Sequence, residues 1–314
     1  MPGWNATHIP DQSGRTAVVT GANSGIGYIT ARELARRGAS VVLACRSAAR
    51  GRAAVVRLLA EVPGTEAEFM ELDLADLASV REFAAAYGRR SARLDLLINN
   101  AGVMALPYGR TVDGFETQFG VNHLGHFALT GLLLPRLRAA PGARIVNVSS
   151  GFHVLGRIDA TAADPADPDG GHGYRRWIAY GRSKTANLLF THELSRRFEA
   201  AGSPITAAAA HPGYASSNLH SGAAKLEGPT LNSRVAALGN AVLAQPTSSG
   251  ALPTLYAATA PGVRPDAFIG PRLGWRGAPT RSWRAKWTLD DGSGEQLWAA
   301  SERLTGVSYA ALPR

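Results

Sequence analysis

Residues 20–27 read TGANSGIG and lie directly between a run typical of a buried strand (TAVVT, residues 16–20) and an amphipathic segment at residues 26–37. Glycine accepts positive φ angles and lets the backbone approach a ligand closely. A helix that begins after these glycines presents unpaired N–H groups and the positive end of its dipole to a phosphate. The stretch therefore predicts a dinucleotide-binding turn, although its spacing, G-x-x-x-G-x-G, departs from the commoner G-x-G-x-x-G. A glycine-rich loop without a ligand is the alternative.

Apolar runs alternate with amphipathic stretches outward from this turn. Predicted strands cover residues 16–20, 40–45, 66–72, 94–98, 144–148, 205–210 and 267–269, and predicted helices include residues 26–37, 76–87, 115–137 and 179–199. Continuous apolar strands that alternate with helices are typical of a parallel sheet covered on both faces. The pattern predicts an α/β fold: a single doubly wound Rossmann-type domain with a mostly parallel seven-stranded sheet and helices on both faces.

Composition disfavours or excludes several classes of protein. The chain has 314 residues, one cysteine and a formal net charge of +9. The single cysteine, Cys45, excludes an intrachain disulfide and a cysteine-based zinc site, and it favours a cytoplasmic location. No apolar run approaches the roughly 18 residues of a membrane span, so none is predicted. The positive charge comes mainly from scattered arginines without a recognition motif, so nucleic-acid binding is the weaker alternative.

The end of the second predicted strand indicates which dinucleotide the turn would take. An Asp or Glu there accepts hydrogen bonds from the ribose hydroxyls of NAD, whereas an arginine accommodates the 2′-phosphate of NADP. This chain has Cys45 followed by Arg46, and the next carboxylate along the chain is Glu61. We therefore expect NADP(H) to be favoured, with NAD(H) and a merely solvated Arg46 as alternatives. Cys45 is expected to be a buried small residue rather than a nucleophile.

Tyr180 and Lys184 lie four residues apart in the segment YGRSK, at the start of a predicted helix. That spacing places both side chains on one helix face. A tyrosine with a pKa near about 10 is a poor base at neutral pH. A neighbouring cation favours the phenolate and lowers that pKa, so the pair is suited to exchange a proton with a carbonyl or alcohol oxygen.

With these motifs in place, the chain resembles the short-chain dehydrogenase/reductase family, and within it the retinol-dehydrogenase-like branch. The resemblance covers roughly residues 15–219. It rests on motifs that occur in the family's order: TGANSGIG (20–27), ACR (44–46), LDL (72–74), NNAG (99–102), VNHLGHF (121–127), RIVNVSS (144–150), YGRSK (180–184) and HPG (211–213). A longer gap between Ser150 and Tyr180 than in the shortest members also fits that branch.

The resemblance implies a role for each matching residue. Tyr180 is the general acid/base, and Lys184 lowers its pKa and binds the nicotinamide ribose. Ser150 positions the substrate oxygen, with Ser149 as the alternative, and Asn122 holds a water that links Lys184 to a proton relay. The cofactor-binding residues are Gly21, Asn23, Ser24, Gly25, Ile26, Gly27, Arg46, Asp73, Leu74, Asn99, Ala101, Gly102, Tyr180, Lys184, Pro212, Gly213 and Ser217.

Some of these residues have simpler explanations. Asp73 could be the N-cap of the following helix, Asn99 part of a strand-ending turn, and Asn122 an interruption of a helix. Phe152, Trp177 and Tyr214 are expected to line an apolar substrate pocket, although they could equally pack a lid. No metal-ligand spacing is present, and the implied chemistry requires none.

The sequence therefore predicts an NADP-preferring oxidoreductase that transfers a hydride between nicotinamide and a carbonyl or alcohol substrate. A catalytically silent NADP-sensing regulatory protein on the same fold is the alternative. Residues 1–314 are expected to form one domain: residues 15–150 are mainly the cofactor-binding half, 151–261 carry the catalytic helix and substrate loops, and 262–314 are a C-terminal extension. We expect a bacterial, cytoplasmic protein; the extension could cap the cleft or make a homo-oligomer contact.

Overall fold

The fold is built around one mixed sheet, seen in a computed structural model that describes residues 3–158, 171–214, 245–310 and 312. The strands are β1 (Thr16–Thr20), β2 (Ser40–Cys45), β3 (Ala67–Glu71), β4 (Leu96–Asn99), β5 (Arg144–Val148), β6 (Thr206–Ala210), β7 (Phe268–Pro271) and β8 (Pro279–Arg281). Their order in the sheet is β3-β2-β1-β4-β5-β6-β7-β8. All pairings are parallel except that of β7 with β8. The predicted doubly wound, mostly parallel α/β fold is confirmed.

Helices cover both faces of the sheet. They are α1 (Gly25–Ala35), α2 (Ala48–Glu61), α3 (Leu77–Arg90), the single turn α4 (Thr117–Phe119), α5 (Gly125–Arg138), α6 (Arg176–Ala200), α7 (Thr247–Thr259) and α8 (Asp291–Thr305). Successive strand residues point to opposite faces, because side chains alternate along a strand. Val19 accordingly packs with α1, α2 and α7. Val18 packs with α3, α5, α6 and α8 on the other face.

The structure adds an eighth strand to the seven that the sequence predicts. The C-terminal extension forms β8, which pairs antiparallel with β7 and ends the sheet. Because β8 has three residues, Pro-Thr-Arg, it carries no apolar run that could reveal a strand. The extension also supplies α8, whose N-cap Asp290 accepts a hydrogen bond from the backbone N–H of Ser293 at 2.8 Å.

The long helix predicted at residues 115–137 is interrupted in the structure. A π-helical turn, Gly120–Leu124, joins α4 to α5. Asn122 lies within this turn, where the regular α-helical hydrogen bonding is interrupted. In the described parts of the chain, no helix combines the length and apolar character needed to cross a bilayer.

Candidate active site

The glycine turn is fastened to the end of β4 by Thr20. The Thr20 hydroxyl accepts the backbone N–H groups of Asn100 and Ala101, each at 2.9 Å. The Asn100 side-chain amide donates to the Thr20 carbonyl oxygen at 2.8 Å. A Cβ at Gly21 would lie 3.0 Å from the Ala101 Cα, and one at Gly27 would lie 2.6 Å from the Gly21 carbonyl oxygen. Side chains are thus excluded from a turn built of closely packed backbone.

Helix α1 begins in this turn with free N–H groups. Ser24 is its N-cap residue, but the Ser24 side chain makes no capping hydrogen bond. Gly25 has a φ of +58°, a conformation that glycine adopts without strain. The exposed end of the helix dipole and its unpaired donors fit a pyrophosphate group.

Arg46 lies just beyond β2, at the edge of the same cavity. Its side chain is 69% exposed, and its Nε lies 3.9 Å from Oδ2 of Asp73. Ser47 caps α2, which places Arg50 in the first turn of that helix and also in the cavity wall. We call Arg46, Ser47 and Arg50 the arginine end of the cavity. Arg50 is not among the predicted site residues, although Ser47 as an N-cap signal indicates a helix start that places Arg50 near Arg46.

The structure shows the surroundings of Cys45 and Asp73, two residues next to the arginine end. Cys45 is buried, and burial raises the pKa of its thiol to about 11, so the prediction of a buried, unreactive residue agrees with the structure. Asp73 is not the N-cap of α3. Asp76 fills that position, and its side chain accepts the N–H of Ala78 at 2.8 Å. Asp73 accepts the N–H of Ala75 at 3.0 Å and lines the cavity.

Ser150, Tyr180 and Lys184 meet at the opposite end, which we call the tyrosine end. Tyr180 and Lys184 are buried on α6, and Ser150 follows β5. Burial raises the pKa of Tyr180 to about 12, and a hydrogen bond with the Ser150 hydroxyl lowers it only in part. Burial lowers the pKa of Lys184 to about 8. Loss of hydration thus dominates the pKa of Tyr180 in this structure, and the lowering by Lys184 that the resemblance implies stays a prediction.

Lys184 lies between the end of β5 and the ring of Tyr180. Its Nζ donates to the Val148 carbonyl oxygen at 3.1 Å and lies 5.6 Å from the centre of the Tyr180 ring. Gly102 packs closely beside it, since a Cβ there would lie 3.4 Å from Nζ. The ammonium group therefore contacts a backbone carbonyl and the cavity wall.

Asn122 lies behind the tyrosine end and does not line the cavity. Its side chain accepts the N–H of Val103 at 2.8 Å and donates to the Val103 carbonyl and to the Ser183 hydroxyl, each at 2.9 Å. The backbone carbonyl oxygen of Asn122 lies 3.0 Å from Nδ1 of His126, and this nitrogen donates because a carbonyl oxygen only accepts. Asn122 thus holds the segment after β4 against α6, and the water expected there stays a prediction.

Adjacent side chains point in opposite directions at two strand ends, in Ser149 and Ser150 and in Asn99 and Asn100. The buried Ser149 hydroxyl donates to the Lys184 carbonyl oxygen at 2.8 Å, whereas Ser150 reaches the phenol. Asn99, expected in the cofactor site, instead donates to Asn147 at 2.8 Å and to Thr130 at 3.0 Å, away from the cavity. Its neighbour Asn100 lines the cavity. Alternation along the strand end turns adjacent side chains in opposite directions.

Aromatic side chains surround the tyrosine end. Phe152 stacks on Trp177 with ring centroids 5.1 Å apart, and its ring lies 5.9 Å from that of Tyr180. Tyr214 also lines the cavity, and its N–H donates to the Trp275 carbonyl oxygen at 2.9 Å. Trp177 supports Phe152 and does not itself line the cavity. The predicted cofactor residue Ser217 lies outside the described residues.

One cavity of about 360 Å³ connects the two ends. Most of the predicted site residues line it: Gly21, Asn23, Ser24, Gly25, Ile26, Gly27, Arg46, Asp73, Leu74, Ala101, Gly102, Ser150, Phe152, Tyr180, Lys184, Pro212, Gly213 and Tyr214. Asn99, Asn122 and Trp177 lie outside its wall. The cavity therefore places the Tyr180 phenol at one end of a cleft whose other end is suited to phosphates.

The chain is similar to known proteins along nearly its whole length. A profile of the family described as short chain dehydrogenase matches residues 15–162. Retinol dehydrogenase 12 of Mus musculus is 41% identical over 94% of this chain and 88% of that protein. Polyprenol dehydrogenase of Mus musculus is 42% identical over 95% of this chain and 86% of that protein. The crystal structure of an uncharacterized protein from Mycobacterium paratuberculosis is 45% identical, with a TM-score of 0.80, covering 98% of this chain and 99% of that one.

Proposed function

The chain belongs to the short-chain dehydrogenase/reductase family, in its retinol-dehydrogenase-like branch, and from that premise we propose that it interconverts apolar alcohols and carbonyl compounds with NADP(H). Members of this family are oxidoreductases that act on CH–OH groups with NAD(P). The proposal adds the NADP preference, the apolar substrate and Tyr180 as the general acid/base. The observation that carries it is the single cavity that runs from the arginine end to the tyrosine end.

The preference for NADP rests on charge at the arginine end. The uncapped start of α1 and the backbone-lined turn fit the pyrophosphate. Arg46 and Arg50 line the cavity next to the end of β2, where the family places the adenosine ribose. Guanidinium groups pair with phosphate through charge-assisted hydrogen bonds. The 2′-phosphate of NADP would therefore pair with these guanidinium groups, whereas the ribose hydroxyl of NAD carries no charge for them to pair with.

The proton chemistry rests on the states of Tyr180 and Lys184. With a pKa of about 12, the phenol holds its proton at neutral pH, as a donor to a carbonyl oxygen must. When bound, the nicotinamide ring supplies or accepts the hydride. In reduction, the Tyr180 hydroxyl donates its proton to the substrate oxygen while the Ser150 hydroxyl orients that oxygen. In oxidation, the Tyr180 phenolate accepts the hydroxyl proton of the alcohol and becomes the phenol, and the nearby Lys184 cation favours the phenolate form.

An apolar substrate fits the aromatic residues at the tyrosine end. Phe152 and Tyr214 form its wall, and Trp177 stacks behind Phe152. The two named relatives act on retinol and polyprenol, which are alcohols with long isoprenoid chains. Aromatic walls bury such chains favourably, because burial of apolar surface is worth roughly 25 cal/mol per Å². We therefore expect isoprenoid alcohols or the matching aldehydes as substrates.

The purified protein should bind NADPH more tightly than NADH in a fluorescence titration at fixed salt. With NADPH supplied, it should reduce retinal to retinol, measured by chromatographic separation of the aldehyde from the alcohol. Preference for NADH would overturn the proposed role of Arg46 and leave the reaction intact. Tight NADPH binding without turnover of any apolar aldehyde or ketone would overturn the proposed substrate class.

A further inference from the structure

The C-terminal extension reaches the strand ends that surround the tyrosine end. We call residues 282–285, which directly follow β8, the C-terminal brace. The backbone N–H of Ser282 donates to the Phe268 carbonyl oxygen of β7 at 2.7 Å. The Arg284 guanidinium donates to Oδ1 of Asp266 at 2.9 Å, in an ion pair just before the same strand. The brace is therefore fixed at two points along β7.

His153 links the brace to Ser150. Its ring is buried, with Nδ1 2.7 Å from the Ser150 carbonyl oxygen and Nε2 3.1 Å from the backbone nitrogen of Ala285. A carbonyl oxygen only accepts and a backbone N–H only donates, so the ring is neutral and its proton is on Nδ1. The Ala285 N–H thus selects the tautomer that donates to Ser150, because the hydrogen bond at one ring nitrogen determines the state of the other.

His211 links the brace to the cavity wall in the same way. Its Nδ1 accepts the N–H of Gly213 at 3.2 Å, and its Nε2 lies 2.9 Å from the Ser282 hydroxyl. Burial lowers the pKa of His211 to about 4, so at neutral pH the uncharged ring donates to Ser282 through Nε2. A Cβ at Gly270 would lie 1.9 Å from that nitrogen, so β7 has room for the ring only because residue 270 is glycine. Gly213 lines the cavity, whereas the His211 ring does not.

We propose that the C-terminal brace positions the tyrosine end of the cavity through these two histidines. His153 holds Ser150, whose hydroxyl reaches the Tyr180 phenol. His211 holds Gly213 in the cavity wall. Both histidines are positioning residues rather than catalytic ones, because neither ring lines the cavity. The inference rests on the proposed function, since the placement of Ser150 affects a rate only if the reaction occurs.

The alternative is that the two histidines only fill space in the core. Both rings contact Phe268, with ring centroids 5.6 Å apart for His153 and 4.9 Å apart for His211. That packing requires rings of the right size but no particular nitrogen. The bonds with Ser150 and Gly213 instead require a donor at Nδ1 of one histidine and an acceptor at Nδ1 of the other. Variants that keep one nitrogen position at a time therefore distinguish positioning from packing.

The first test replaces His153 with each of two amides. Asparagine carries its amide as far from the backbone as Nδ1, and glutamine as far as Nε2, so His153→Asn keeps the donor to Ser150 and His153→Gln does not. For the NADPH-dependent reduction of retinal, kcat should fall about 10- to 100-fold in His153→Gln, as for a misplaced reacting group, and only a few-fold in His153→Asn. Tm should fall equally in both, because each variant loses the ring and one hydrogen bond. His8→Gln, at an exposed histidine, is the control and should match the wild type.

His211 is tested through cofactor binding, which requires no turnover. His211→Asn keeps an acceptor for the Gly213 N–H, whereas His211→Gln keeps only the donor to Ser282. In a fluorescence titration, His211→Gln should bind NADPH about tenfold more weakly, and His211→Asn nearly as tightly as the wild type.

The brace itself is tested by Arg284→Gln, which removes its ion pair with Asp266. This change should lower kcat several-fold in the wild type. It should lower kcat no further in His153→Asn, because the asparagine donor does not depend on a tautomer that the brace selects. Arg281→Gln removes the same charge from an exposed site on β8 and should leave kcat unchanged in both backgrounds.

The tautomers can be measured without any reaction, by nitrogen-15 NMR of the full chain labelled in histidine. We expect the His153 proton on Nδ1 and the His211 proton on Nε2, and the opposite tautomer at His153 would overturn the proposal. Equal losses of kcat in the two His153 variants, in proportion to Tm, would overturn it in favour of packing. Absence of turnover by the wild type would overturn the proposed function alone, and the spectra and NADPH titrations would then decide the role of the brace.

Discussion

The two ends of the cavity hold their charged groups in opposite surroundings. At the arginine end, the Arg46 side chain is 69% exposed and its Nε lies 3.9 Å from a carboxylate oxygen of Asp73. At the tyrosine end, Tyr180 and Lys184 are buried. Burial raises the pKa of Tyr180 and lowers that of Lys184, so each shift favours the uncharged form of the side chain. The Arg46 side chain is thus open to water and salt, whereas those of Tyr180 and Lys184 are shielded from both.

This difference in exposure indicates what each end can contribute to cofactor selection and to proton transfer. Solvent screens an exposed charge, so Arg46 can select a ligand only through direct contact with an anion. Burial makes each charge at the tyrosine end costly, so Tyr180 and Lys184 respond strongly to a bound substrate oxygen. Changes at the arginine end should therefore alter which cofactor binds, whereas changes at the tyrosine end should alter proton transfer and stability.

The largest effect is expected for Tyr180→Phe. Removing the hydroxyl removes the proton donor, so kcat with NADPH and an apolar aldehyde should fall about 10³-fold. The dissociation constant of NADPH should change little, because the arginine end is untouched. Steady-state kinetics and a fluorescence titration measure the two quantities. Tyr256→Phe, on α7 and outside the cavity wall, is the matched control and should keep full activity. Retained turnover in Tyr180→Phe would remove Tyr180 from the mechanism.

The arginine end is tested by Arg46→Asp. The variant replaces a cation that pairs with phosphate by an anion that repels it, so NADPH should bind roughly 30- to 100-fold more weakly. NADH should lose only a few-fold, and kcat at saturating cofactor should be nearly unchanged. Arg52→Asp, an exposed site on α2 outside the cavity, controls for net charge. Equal losses for NADPH and NADH would show that Arg46 does not contact the 2′-phosphate.

Gly27→Ala should disturb the turn that both cofactors share. The new Cβ would lie 2.6 Å from the Gly21 carbonyl oxygen and 2.5 Å from the Asn100 amide nitrogen. Overpacking of this kind costs about 1–3 kcal/mol, so NADPH and NADH should both bind roughly tenfold more weakly and Tm should fall. Gly292→Ala, in α8 with its nearest neighbour at 3.6 Å, should leave binding intact. Selective loss of one cofactor would contradict a shared turn.

The smallest effect is a pH dependence of stability from Lys184. Folding lowers the pKa of Lys184 to about 8, so between about pH 8 and the unfolded value of 10.5 the unfolded chain binds more protons. Stability should therefore rise with pH in that window by an amount on the order of 1–3 kcal/mol. Burial raises the pKa of Tyr180 to about 12, so its contribution has the opposite sign above its ordinary value of 10.0.

Denaturant unfolding at several pH values measures this rise. Lys184→Met should abolish most of it, because the variant removes the group whose pKa folding lowers. Lys286→Met removes an exposed lysine and should leave the wild-type slope unchanged. An identical slope in wild type and Lys184→Met would mean that Lys184 keeps its ordinary pKa in the folded protein.

Local patterns were sufficient for much of the fold and of the site. Apolar runs predicted seven of the strands, and the spacing of Tyr180 and Lys184 predicted that they share a helix face, because helix geometry depends only on neighbours along the chain. The order of glycines in residues 20–27 placed the turn between β1 and α1 for the same reason. The eighth strand was not predicted, because Pro279–Arg281 has no periodicity of its own. These residues form a strand only through their pairing with β7.

The sequence by itself determined the class of fold, the glycine turn and the residue types of the reaction. The tertiary structure decided what surrounds them: Ser150 rather than Ser149 reaches the phenol, Asn100 rather than Asn99 lines the cavity, and Arg50 joins Arg46. It also decided how deeply Tyr180 is buried, and that burial raises the pKa of its phenol. These outcomes depend on segments far apart in the chain, which determine together how much water reaches a side chain and which way it points.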